Sequence, residues 1–137
     1  MSPRPKLKRE RPSEAKVKVD IRAALDAHGW FWWNVPMNAY AKAGISDIHA
    51  VKAGVFMVIE GKRDDKEDPT LPQKAFLSTI KSHDHFAFVV DRDNLPVFRG
   101  FLVAFDRACL AQTKGRQPAP EDGAAMLDAI REMQRKF

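Results

Sequence analysis

The chain has 137 residues, enough for one domain with a proper core, and 45% of them are hydrophobic, which excludes disorder of the whole chain. Its formal charge of +5 and pI near 9.5 favour an anionic partner, nucleic acid or membrane surface. No apolar run approaches the ~20 residues of a membrane span, the N-terminus lacks the apolar stretch of a secretory signal, and the single cysteine, Cys109, excludes an internal disulfide and makes a reducing cytosol the expected compartment.

Residues 1–12 form a basic, proline-punctuated arm carrying Arg4, Lys6, Lys8, Arg9 and Arg11. It reads as a flexible, solvated tail, compatible with an arm that tracks a phosphate backbone. Ser13 is placed to N-cap a helix running to about His28, with Gly29 as its stop. Val17, Ile21, Ala24, Leu25 and His28 form its apolar stripe. Glu14 lies one turn before Val17; it either complements the helix dipole or reaches an adjacent site as a further acid. Trp30 to Val35, aromatic and β-branched, predicts a strand. Its three tryptophans suit base stacking or core packing, and core is the expectation for at least two rings. Residues 36–44 are a loop offering Asn38, Tyr40 and Lys42.

From Ser46 to Lys62 the chain reads S-D-I-H-A-V-K-A-G-V-F-M-V-I-E-G-K, which predicts a hairpin turning at Ala53-Gly54. That register sets Lys52 opposite Val55, Ile48 opposite Ile59 and Asp47 opposite Glu60. Alternation then puts Asp47, Glu60 and Lys62 on one face. Opposed carboxylates about 5 Å apart repel and need a compensating cation. A hard divalent ion takes carboxylate oxygens, and a lysine beside it can hold a water or a phosphate oxygen. A solvated face with cross-strand ion pairs is the plain alternative. Against it, Glu60 ends the apolar run Val55 to Ile59, which reads as a central strand covered on both faces.

Residues 63–70 read as a charged, mobile loop, with Asp64 and Asp65 solvated. A second helix runs from Thr70 to Ser82, with Phe76, Leu77 and Ile80 inward and Gln73 one turn before them. Gln73 alone reads as a polar residue at a helix start. Phe86 to Val90 is a buried strand, and His83 and His85 sit in the connection. Phe98, Phe101, Leu102, Phe105 and Cys109 predict a helix over 94–111 despite Gly100. Residues 112–120 read as a linker, and Glu121 to Lys136 as a last amphipathic helix. The chain thus divides into an arm (1–12), a main α/β domain (13–111) and a C-terminal helix (121–137).

The order helix, three strands, helix, strand, carrying Gly44-Ile45-Ser46-Asp47, Glu60-Gly61-Lys62 and Gln73, resembles the PD-(D/E)xK nuclease superfamily. Within it the chain looks most like the small VRR-NUC domains related to Holliday-junction resolvases. Ser46 stands where the signature commonly has proline. The resemblance covers residues 13–91 and implies a restriction-endonuclease-like mixed sheet of about four strands with C-terminal helices. It also implies an endodeoxyribonuclease dependent on Mg²⁺ or Mn²⁺. Asp47, Glu60 and the Gly61 carbonyl would bind the metal, and Glu14 matches an acid that some members place on the first helix. Lys62 would orient or activate the attacking water and stabilise the pentavalent charge, and Gln73 would position the lysine or the water. DNA is the implied partner, contacted by Lys6, Lys8, Arg9, Arg11 and Lys42, with Lys52, Lys74 and Lys81 as alternatives. A homodimer cutting branched or junction DNA is the expectation; the rival is a non-catalytic nucleic-acid-binding module on the same fold.

Overall fold

The computed structural model describes residues 11–36 and 44–137. Helix α1 spans Glu14–Ala27, and the Ser13 side chain accepts from Lys16 N–H, satisfying one of the donors that a helix start leaves orphaned. Gly29, at φ +74°, turns the chain out of the helix toward strand β1, Phe31–Asn34. Trp30 falls just before this strand and is buried against Phe105, ring centroids 5.1 Å apart.

Strands β2 (Ile48–Lys52) and β3 (Val55–Gly61) form the hairpin, with Lys52 opposite Val55, Val51 opposite Phe56 and Ile48 opposite Ile59. Ala53 and Gly54 have φ of 51° and 76°; positive φ at both turn positions matches the right-handed twist of the flanking strands. Helix α2 (Leu71–Ser82) opens on a reciprocal capping box between Thr70 and Gln73. It leads into β4 (Phe86–Val90), which runs parallel to β3. Helices α3 (Leu95–Thr113) and α4 (Pro120–Met133) complete the chain. The last helix begins on the proline that the sequence assigned to the linker, because proline fits a first helical turn.

The protein is therefore α/β, with a four-stranded mixed sheet in the order β1-β2-β3-β4. One face, carrying Ile48, Ala50, Met57, Ile59, Phe88 and Val90, packs on α1, α3 and α4. Fully buried Phe98, Phe101 and Leu102 fill this layer, each contributing about 1.5–3 kcal/mol of transfer free energy. Helix α4 belongs to the same core through Ala129 and Met133. On the other face Val58, Ala87 and Val89 pack under Leu77 of α2, flanked by Phe76 and Ile80. Both faces of β3 are thus covered, so its C-terminal end lies buried between layers. Among the described residues no helix is long and apolar enough to cross a membrane.

Candidate metal centre at the end of the hairpin

Asp47 and Glu60 extend the hairpin one position beyond the Ile48–Ile59 pair. Asp47 is tied from both sides: its carbonyl accepts from Val35 N–H at 2.9 Å, and its Oδ2 accepts from Gly61 N–H at 3.3 Å. Glu14, in the first turn of α1, supplies a third acid. One carboxylate oxygen from each of Glu14, Asp47 and Glu60 lies within 4.8 Å of the others. Three carboxylates so close are a ligand set suited to a hard divalent cation.

Glu60 is the most constrained of the three, at 1% exposure. Its Oε1 accepts from Gln73 Nε2 at 2.9 Å and lies 3.4 Å from Lys62 Nζ, while its Oε2 is buried with no hydrogen-bond partner. Burial, and then the charge of Asp47, push the Glu60 carboxyl up to about 8 against the pull of Lys62. Burial also acts on Glu14, but its hydrogen bond from Lys18, its contact with Glu67 and the charge of Lys62 outweigh that and hold it below its ordinary value.

Gln73 fills two roles with one amide. Its Oε1 accepts from Thr70 N–H at 2.8 Å, closing the capping box, and its Nε2 donates to Glu60. Lys62 is itself buried, between Glu60 and, at 3.9 Å, Glu67. Gly61 ends β3 against α1; a Cβ there would lie 2.9 Å from Lys18 Cγ, so glycine lets the lysine stem lie across the strand. Gly44 has a similar reason. At φ +83°, its Cβ would lie 2.4 Å from the Pro72 carbonyl carbon and oxygen and 2.8 Å from Gln73 N. The loop before Asp47 therefore rests directly on the first turn of α2.

Two residues at this centre escaped the sequence reading. Lys18 Nζ lies 3.1 Å from Glu14 Oε1 and 3.3 Å from Asp47 Oδ2. Burial would lower its ammonium pKa, but Asp47 and Glu14 outweigh it and hold the group above its ordinary value. Its i+4 spacing from Glu14 was the available signal. Glu67, which also pairs with Arg63 at 2.6 Å, comes from the 63–70 loop, where no periodicity points to a position.

Three readings are corrected. Asp64 is buried at 3% exposure, not solvated. It accepts from Arg11 through both oxygens, at 2.5 and 2.8 Å, and the Arg11 hydrogen bond holds its carboxyl well below the usual range. Arg11 is accordingly a tether to the domain rather than a free cation of the arm. Lys52 is held too, 2.6 Å from Asp106, which also contacts His28 Nδ1 at 2.5 Å, at the opposite end of the sheet. Lys6, Lys8, Arg9 and Lys42, with Asn38 and Tyr40, lie outside the described residues. Comparison of the chain with protein-family models, with curated proteins and with solved structures finds no match.

Proposed function

We propose that this chain is a metal-dependent endonuclease that hydrolyses DNA phosphodiester bonds, acting as a homodimer on branched or junction DNA. Asp47, Glu60 and Glu14, with the Gly61 carbonyl, would hold Mg²⁺ or Mn²⁺. The observation that carries this reading is Glu60 Oε2, a buried carboxylate oxygen without a partner, beside two further carboxylates. Such an atom costs free energy unless something pairs with it, and a divalent cation supplies that partner. When bound, the cation would polarise the scissile phosphate and lower the pKa of a coordinated water. Lys62 sets a fixed positive charge 3.4 Å from Glu60, where it can orient the attacking water or a phosphate oxygen. Gln73 holds the Glu60 carboxylate in one rotamer through its 2.9 Å hydrogen bond. The net charge of +5 suits a polyanionic substrate.

The test is cleavage of duplex, single-stranded, splayed and four-way-junction DNA, and of RNA, with Mg²⁺, with Mn²⁺ and with chelator. The expected result is metal-dependent cutting of the branched substrates, abolished by Asp47→Asn and by Glu60→Gln. Unimpaired cutting by both variants would remove these residues from the site. DNA binding without any cleavage would replace the enzyme by the non-catalytic module.

A further inference from the structure

The segment Trp30-Phe31-Trp32-Trp33 holds three indoles, and the core absorbs two of them. Trp30 is buried. Trp32 packs on the main core, its Nε1 donating to Asp26 at 2.7 Å and the Arg22 guanidinium lying 5.6 Å over its ring. Trp33 has the opposite parity and faces the other side of the sheet. It is 37% exposed, and Phe31, on the same side, is 69% exposed. Helix α2 packs over β4 and β3 and reaches β2 where Phe76 meets His49, leaving Phe31 and Trp33 of β1 exposed.

These rings form a supported row. Phe31 and Trp33 have centroids 5.9 Å apart, Trp33 and His49 5.7 Å, and Trp33 and Phe56 6.4 Å. Behind them His49 stacks on Phe76 at 6.2 Å with planes 6° apart. The row leads to the carboxylates. Phe76 is one helical turn after Gln73, and His49, opposite Trp33 in the ladder, is two residues from Asp47 on the same face. Trp33 is thus the diagonal sheet neighbour of Asp47, a separation of roughly 7–8 Å.

We propose that Trp33 and Phe31 form a stacking shelf for unpaired bases of a nucleic-acid strand whose phosphate enters the Glu14–Asp47–Glu60 centre. The substrate class is then a nucleic acid with single-stranded nucleotides beside the scissile bond. The link to the scissile bond rests on the nuclease reading; the shelf itself does not. Every base has a π-face for such rings, and a chain of charge +5 attracts the accompanying phosphates. A second copy of the chain pairing along β1 fits less well. That edge is only four residues long, and Arg22 stands at it, donating to Asn34 Oδ1 at 3.3 Å. A cation at a strand edge opposes strand addition.

The experiment uses full-length Asp47→Asn protein in chelator, titrated with an oligothymidylate and with a blunt duplex of equal length, followed by anisotropy and tryptophan quenching. Adding Trp33→Ala should weaken the oligothymidylate about 5- to 150-fold and quench less, with the duplex changed less than about threefold. Phe31→Ala, at a residue that supports no core, should act in the same direction if Trp33→Ala fails to fold. Unchanged oligothymidylate affinity in both variants would overturn the shelf. Equal losses for both ligands would overturn it as well, as would sedimentation showing a dimer that these substitutions dissociate. Cleavage by the parent protein is scored separately. Cutting with an intact shelf-variant affinity sinks the shelf alone; shelf-dependent binding without cutting sinks the nuclease alone.

Discussion

Gln73 ties the first turn of α2 to the end of β3: its Nε2 donates to Glu60 Oε1 at 2.9 Å while its Oε1 caps the helix. Helix initiation and carboxylate orientation therefore depend on one side chain, and substitutions can separate them.

Gln73→Glu keeps the capping acceptor but replaces a donor to Glu60 with another carboxylate. It should leave α2 helical yet lose stability relative to the parent, by more at pH 8 than at pH 5. Gln73→Ala removes the cap as well, at a cost of about 1 kcal/mol from that source, with less dependence on pH. Urea midpoints for both variants at the two pH values check this; a Gln73→Glu penalty that does not grow with pH would detach Gln73 from Glu60.

Glu60 itself predicts a pH profile. Its carboxyl, ordinarily at 4.5, rises to about 8 on folding. The folded state then binds more protons than the unfolded chain between those values, so this contribution is fully present below 4.5 and is lost as pH rises to about 8. At about 1.4 kcal/mol per pH unit, the Glu60 contribution in metal-free protein should fall between pH 5 and 8 by an amount on the order of a few kcal/mol. Glu60→Gln should abolish that slope, and the difference between the two melting series isolates it. Saturating Mg²⁺ should restore stability at pH 8, because a cation favours the ionised form.

Lys62 tests the division of labour within the centre. In the proposed nuclease it would act as a charge rather than a ligand, so Lys62→Met, which keeps the bulk, should retain divalent binding by calorimetry. Turnover should fall about 10²–10⁴-fold, the range for one acid–base or electrostatic group. A variant that loses metal affinity but keeps its rate at saturating metal would contradict that role.

Arg11 should behave as part of the domain. Asp64 is depressed below its ordinary value by Arg11, so this pair's contribution is complete above that value and is lost only as the pH falls from there through the depressed folded value. Arg11→Ala should therefore lower the urea midpoint at pH 7 and somewhat less at pH 3. It should leave the slope of log K against log salt on duplex DNA unchanged. Deleting residues 1–10, which removes Arg4, Lys6, Lys8 and Arg9, should flatten that slope by roughly two or three units.

The hairpin was legible in the sequence because a two-residue turn leaves one register, and register decides which side chains meet. Helix α1 was legible from Ser13, its stripe and Gly29, but Glu14 was ambiguous. The same acid serves a helix dipole or a site, and the docking of α1 across Gly61, which no local pattern encodes, settles its placement beside Asp47. Glu67 and Asp64 were illegible for a related reason. Loop residues have no period, so a buried loop carboxylate looks like a solvated one until its partner is located 53 residues away, as Arg11 is from Asp64. The parity that separates Trp33 from Trp30 and Trp32 was present in the sequence, and the structure adds which side is open.

Gly44 shows how such a centre constrains the variation it can accept. It offers no side chain to a ligand or a substrate, yet its backbone lies where any Cβ would strike the opening turn of α2. A substitution there would displace the loop that delivers Asp47 and the helix turn that delivers Gln73 together. In a saturation scan, position 44 should therefore rank with the carboxylates in intolerance, while exposed Asp65 and Lys66, both close to Lys62 in sequence, should accept most replacements. Intolerance along this chain would trace the seam where its loops meet, and chemistry would account for only part of it.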